Sequence, residues 1–438
     1  MHWLVYATDV SPRLKYIFRF FAGELQADEP IFTSSREAFI AATGPRINYS
    51  PEHLADPELW ISPQGLLSQR DIREQPILCF EQNGSKAFFQ GPGDFGFDPF
   101  AAAFYLLSRY EEYHPGAADE YGRYDHRRSL AFREQFLDRP LVNYWVGMLG
   151  RLLSAKFPDI KLNPRPLSFL PTYDIDIAWS YLHKGWARNL GGFSRALLRG
   201  NWGEIKRRTR VLLGKQKDPF DCFGWLNQLH EEHKLRPYYF FLVPRKRGRY
   251  DKNIDPRKEA MQYLIQDHVI RYPVGIHPSW KSGDDERQLR DEIAFLTRLN
   301  GSPILSSRQH YIRFTLPGGY RRLIDAGIRY DFSMGYGSIN GFRASTSAAF
   351  YWYDLEKEEQ TSLLLFPFCF MEANSYYEQK QTARQALDEM RKYYGEVKAT
   401  GGYFIMIWHN SLLGTDPAFS GWREAYQQFI TETGPAPV

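Results

Sequence analysis

The spacing of apolar residues changes near residue 165. Before that point apolar positions recur at helical intervals over 12–21 (Leu14, Ile17, Phe18, Phe21). A nearly unbroken apolar run over 100–110 predicts a buried helix, and 141–153 predicts another. Short strands are expected at 3–7, 77–80 and 87–90, the last two around Asn83-Gly84. After Pro164 and Pro166 the pattern becomes an alternation. Apolar runs at 167–176, 237–243, 274–277, 304–307, 328–333, 363–371 and 403–408 read as strands. Segments 223–233, 257–267, 284–298, 320–326 and 380–397 between them read as helices. Strands apolar throughout and separated by helices predict a parallel sheet covered on both faces. Closed on itself, such a sheet would be an incomplete relative of the eight-stranded βα barrel.

This pattern divides the 438 residues into an N-terminal α/β domain, 1–165, of unassigned role, and a second α/β domain, 166–438. The second is interrupted by a basic insertion at about 184–218. There ten Lys or Arg face only Glu204 and Asp218, with Trp186, Leu190, Leu197, Leu198 and Trp202 interleaved. Such a segment either covers the rim of a barrel as a solvated helical insertion or lies on an anionic membrane surface. A net charge of +4 is near balance and argues against a dedicated nucleic-acid binder. Cys79, Cys222 and Cys369 are scattered, without metal-ligand spacing, which fits a reducing compartment. The first residues lack a signal sequence's basic flank, and no run reaches the length of a membrane span. The expectation is a cytoplasmic protein, with peripheral contact at the inner membrane as the variant that the basic insertion suggests. In the first half, Asp125-His126-Arg127-Arg128 reads as a solvated, locally paired loop, with anion binding as the alternative.

The chemistry concentrates at strand ends, where parallel barrels carry their sites. The run from Leu167 finishes in Thr172-Tyr173-Asp174-Ile175-Asp176. Two carboxylates spaced by one residue share a face of a strand, and burying them unpaired would be too costly. Later strands end in His277-Pro278-Ser279-Trp280, Ser307-Arg308-Gln309-His310, Tyr330-Asp331, Glu372 and His409-Asn410. Packing alone would accept apolar residues at most of these ends. Asp176, His277 and His310 supply a carboxylate and two imidazoles, a set suited to zinc or another divalent ion with positions left open. Asp174 is placed to accept a proton, His409 to donate one, and Arg308 to pair with Asp331 and orient the base. Trp280, Tyr336 and Phe342 are candidate aromatic platforms for a substrate. Arg343 and Glu372 are candidate substrate contacts.

In this order the motifs resemble the polysaccharide deacetylase superfamily of carbohydrate esterases. Thr172 to Asp176 is similar to its opening Thr-x-Asp-Asp motif, with one residue inserted between the acids. His277 matches the first histidine of its His-x-x-x-His motif, but Lys281 occupies the second position, leaving His310 as the replacement. Arg308, Asp331 and His409 resemble the residues of the later motifs. The resemblance covers about 165–415 and implies a distorted seven-stranded (β/α) barrel. It also implies a divalent metal, a carbohydrate substrate, and removal of N-acetyl or O-acetyl groups with Asp174 as base and His409 as acid. Lys281 motivates an alternative, a non-catalytic carbohydrate-binding protein on a degenerate barrel. A phosphoester hydrolase is a third reading, although no Gly-rich phosphate loop is present. The glycan, the metal and the oligomeric state are not specified.

Overall fold

The computed structural model describes residues 3–434. In the first part, β1 (Leu4–Ala7), β2 (Ile31–Thr33), β3 (Arg46–Tyr49) and β4 (Leu59–Ile61) form a parallel sheet in the order β2-β1-β3-β4. The helix Pro12–Glu24 starts on Ser11, whose hydroxyl accepts from Leu14 N, and buries Leu14, Ile17, Phe18 and Phe21. The predicted 100–110 helix is Pro99–Leu107, with every residue buried. The turn Asn83-Gly84 joins a small hairpin, β5 (Phe80–Gln82) with β6 (Ser85–Ala87). The two short strands expected beside it lie a few residues off.

The second part is built on β7 (Leu167–Ile175), β8 (Tyr238–Leu242), β9 (Val274–His277), β10 (Ser306–Ser307), β11 (Tyr330–Asp331), β12 (Phe350–Asp354), β13 (Glu359–Leu365), β14 (Phe370–Met371) and β15 (Gly402–His409). Their order is β12-β13-β11-β10-β9-β8-β7-β15-β14. Every neighbouring pair is parallel except β12 with β13. Helices Phe223–Glu232, Glu259–Arg271, Glu286–Asn300, Gly318–Asp325 and Ala383–Thr400 connect successive strands, as the parallel register requires.

One predicted strand is corrected. The run 363–371 is not a single strand, because Pro367 lies between β13 and β14 and cannot donate to a ladder. β13 pairs with β11 at one side of the sheet and β14 pairs with β15 at the other. One short stretch of chain therefore joins both ends of the parallel set. β12 was not anticipated.

Register sets the strand ends side by side. His409 lies opposite Asp174, and His277 opposite Leu242. Beneath them, a Cβ on Gly275 would come within 2.5 Å of Phe240 and 2.9 Å of Ser306 O, so only glycine fits at that point of β9. Phe240 in turn carries the Arg308 guanidinium 4.5 Å above its ring. The basic insertion folds as two helices, Trp186–Leu198 and Trp202–Leu212.

Candidate metal centre

At the carboxyl ends of the parallel strands lies a cavity of about 410 Å³ whose lining includes Asp174, Asp176, His277, His310 and His409. Asp176, His277 and His310 each offer one ligand atom, all within 4.8 Å of one another. His277 Nε2 is 3.1 Å from Asp176 Oδ1, and His310 Nε2 is 3.4 Å from Asp176 Oδ2.

The outer nitrogens are engaged elsewhere. His277 Nδ1 donates to the Arg308 carbonyl at 2.6 Å, an acceptor that cannot donate back, so this nitrogen carries the proton. His310 Nδ1 lies 3.1 Å from Asp251 Oδ1. Holding Nδ1 in this way orients Nε2 as the free donor, the arrangement seen where histidines ligate metals. Asp176 Oδ1 is buried without a hydrogen-bond partner among the described residues. That orphaned oxygen, between two correctly turned imidazoles, fits a divalent cation.

Electrostatics agree. Burial would raise Asp176, but His310 and His277 outweigh it and hold the carboxyl well below its usual range. Burial would likewise depress His310, yet Asp176 and Asp251 push it up to about 9. These side chains are already arranged to stabilise positive charge between them.

Asp174 is buried beside this group, 3.9 Å from His277 Nε2. Arg308 Nη1 holds it at 3.0 Å and also donates to Thr172 Oγ1 at 2.7 Å, while Arg308 Nε donates to the Phe332 carbonyl. The expected Arg308–Asp331 pair is thereby corrected. Asp331 instead accepts from Ser333 N and Ser333 Oγ, and burial raises its carboxyl to about 6. Burial dominates at Asp331 because Arg308, which lowers it by charge, makes its direct hydrogen bond to Asp174.

On the far side, His409 Nε2 is 3.4 Å from Asp176 Oδ2. Glu372 accepts from both His409 N (2.6 Å) and His409 Nδ1 (2.7 Å). Burial would lower His409, but Glu372 and Asp176 hold it well above its ordinary value, as an imidazolium. Glu372 is fully buried and absent from the cavity wall, so it is a support for His409 and not the substrate contact expected.

The expected sugar platform is also corrected. Tyr336 is buried, with its hydroxyl accepting from Arg109 Nη2. Phe342 packs against Tyr393. Arg343 is paired with Glu112 and lies over Phe314. Trp280 stacks on Tyr250 at 3.9 Å and stands behind the wall. The aromatic wall itself is Tyr121, Tyr250, Tyr311 and Tyr377. Tyr311 and Ile312 have φ of 59° and 55°, a left-handed conformation uncommon for such residues. It turns the chain sharply just after His310.

Sequence reasoning missed three contributors. Asp251 lies nine residues beyond β8, and strand two was the one strand without a polar end, which was the available signal. Tyr121 and Arg123 come from the N-terminal part and reach the cavity, Arg123 donating to the Gly337 carbonyl at 2.7 Å. Nearby, Asp125 pairs with Arg127, the local pairing expected of that loop, whereas His126 contacts Ser338 in the second part of the chain.

A parallel α/β fold with this cluster at its strand ends defines a candidate cation-binding site. Residues 3–158 match the model of a family of unknown function (DUF7033). No curated protein matches the chain. Among solved structures, the chain is similar to the polysaccharide deacetylase Bc1974 from Bacillus cereus (10% identity, 62% of this chain and 91% of that one, TM-score 0.31). It is similar to PuuE allantoinase (12%, 62% and 87%, TM-score 0.38). It is also similar to a BA3943 mutant, a CE4 family pseudoenzyme with restored enzymatic activity (9%, 62% and 63%, TM-score 0.32). Identities and TM-scores this low leave the functional reading to the geometry of the site.

Proposed function

We propose that the chain is a metal-dependent carbohydrate deacetylase, on a seven-stranded (β/α) barrel whose sixth strand is the broken run β13–β14. The observation that carries this reading is the open donor set of Asp176, His277 and His310, with the carboxylate of Asp174 on one side and the imidazolium of His409 on the other. A divalent ion, zinc by donor type, would polarise an acyl carbonyl and acidify water.

The chain's own residues supply the rest. Asp174, held by Arg308, whose Nη1 is itself anchored on Thr172 Oγ1, takes a proton from water that adds to the acetyl carbonyl. The bond from carbonyl carbon to the sugar nitrogen then breaks. His409, kept protonated by Glu372, gives its proton to the departing amine. Acetate and a free amine result, and an O-acetyl ester would follow the same course to an alcohol. The tyrosine wall supplies faces for a sugar ring.

The test is acetate release from N-acetylated glycans with added zinc. Asp176→Ala is expected to lower the rate by about 10³-fold or more and to abolish stoichiometric metal uptake. Unchanged acetate release would refute the mechanism. A wild-type protein that takes up no divalent ion after reconstitution would favour the non-catalytic carbohydrate binder instead.

A further inference from the structure

We propose that the helical hairpin 186–212 is a docking surface for an anionic lipid bilayer. Both helices turn large apolar side chains to solvent: Trp186 is 81% exposed, Leu198 88%, Trp202 67% and Leu213 64%. On the first helix Trp186, Leu190 and Leu197 fall at intervals of four and seven, along one stripe. On the second, Trp202, Lys206 and Leu213 share a face, with Arg210 beside them. A folded protein seldom leaves so much apolar area uncovered without a partner for it.

Charge selects that partner. The ten Lys and Arg of 184–217 have only Glu204 within the hairpin and Asp218 beside it in sequence, and Lys217 pairs with Asp221. Of these acids, Glu204 is spent on Arg208, and Asp218 accepts from the backbone nitrogens of Ser180, Tyr181 and Leu182. The surplus is positive and sits among tryptophans and leucines, the composition of an interfacial amphipathic segment.

Lys184, Arg188, Arg195 and Arg208 also surround a cavity of about 370 Å³ floored by Gly191 and Gly192. Arg188 Nη1 and Arg208 Nε are buried there without a hydrogen-bond partner among the described residues. Burial, and after it the charges of Arg188 and Arg208, lower Lys184 to about 8. An acceptor-only group, the phosphate of a lipid headgroup, would satisfy these donors.

Position gives the surface a use. The hairpin follows β7, at the strand ends that carry the candidate site, and Arg188 donates to the carbonyl of Lys252, a residue of the catalytic cavity. Ile177 lines both that cavity and a groove of about 740 Å³ against the hairpin. Docking would set the cavity mouth beside the bilayer, where a membrane-borne glycan could enter. That last consequence rests on the proposed deacetylase activity, whereas the docking itself does not.

The experiment is co-sedimentation of the full chain with vesicles of phosphatidylcholine alone or mixed with phosphatidylglycerol. Binding is expected to be at least about tenfold stronger to the anionic vesicles. It should be lost on raising ionic strength from about 0.1 M to about 1 M, which shortens the Debye length from about 10 Å to about 3 Å. Trp186→Ser with Leu198→Ser, both at exposed positions, and separately Arg195→Glu with Arg199→Glu, should each weaken binding about tenfold or more. Equal binding to neutral vesicles, indifference to salt, or variants that bind like wild type would overturn the proposal. So would a dimer in sedimentation that binds no vesicle, because the apolar stripe would then belong to a second copy.

Discussion

Two of the clusters of buried charge among the described residues invite comparison, since both set carboxylates against nitrogen bases. One gathers Asp174, Asp176, His277, His310 and His409 at the strand ends. The other joins the two halves of the chain: Arg109 pairs with Glu111 and Glu112, and Glu112 takes a second, bidentate partner in Arg343. In the second cluster the ions answer one another. Glu112 is held below its usual range because Arg343 and Arg109 more than offset its burial. In the first, Asp176 Oδ1 is left without a hydrogen bond while an imidazole nitrogen stands near each oxygen of that carboxylate. The presence of charge does not separate a site from a brace; what separates them is whether the donors and acceptors are already used.

The sharpest way to break this comparison is to remove charge from the satisfied cluster. Glu112→Ala leaves the buried Arg343 without its carboxylate, and Arg109 with Glu111 alone, and should cost about 3–5 kcal/mol of stability, measured by chemical denaturation. Under conditions where the variant remains folded, metal uptake should be unchanged. Loss of metal with little loss of stability would show that the brace is part of the site.

This distinction also explains what the amino-acid order discloses. The strand ends were legible because a polar residue after an apolar run is a local pattern. Asp174, Asp176, His277, His310 and His409 all stand at such ends, and one cavity gathers them. Arg343, Tyr336 and Phe342 follow the same local logic after β11 and are nonetheless buried. Arg343 finds Glu112 231 residues away, a pairing with no trace in local spacing. The split of 363–371 was legible in part, since Pro367 was visible, but its assignment to opposite sides of the sheet depends on closure. Asp251 was hidden because its loop leaves β8 by nine residues before turning back to His310. Arg308 was placed at the site, while its partner was misread because Thr172 and Asp174 meet it only after the strands pair.

A milder test sharpens the contrast within the site. Asp251→Asn keeps the size of the side chain and weakens the hold on His310 Nδ1, without touching the three donor atoms. Metal affinity should fall about 10–100-fold, the scale for a partner that orients a ligand, with the fold intact. Titration with a competing chelator measures it. An unaltered affinity would mean that His310 is oriented by packing against Tyr311 alone.

The smallest effect tests the criterion itself. His268 Nδ1 donates to the Leu264 carbonyl, and its Nε2 is buried without a partner among the described residues, the same mark that Asp176 Oδ1 bears. Here, however, the neighbours include the rings of Phe223, Tyr239 and Phe241, and among the described residues His268 belongs to no cluster of three metal-ligating side chains. An unused atom should therefore signal a site only where others converge on it. Burial depresses His268 to about 4 from an ordinary 6.5, so the folded chain keeps it neutral. The unfolded chain takes up its proton first as pH falls. The associated stability is thus present above about pH 6.5 and lost progressively toward pH 4, at up to about 1.4 kcal/mol per pH unit. His230, depressed to about 3 for the same first reason, contributes in the same direction. His268→Leu should remove roughly half of this joint slope while leaving metal uptake unchanged. A variant with the full slope would show that His268 is not the buried neutral base it is taken for, and one that lost metal would make the unused nitrogen part of the site.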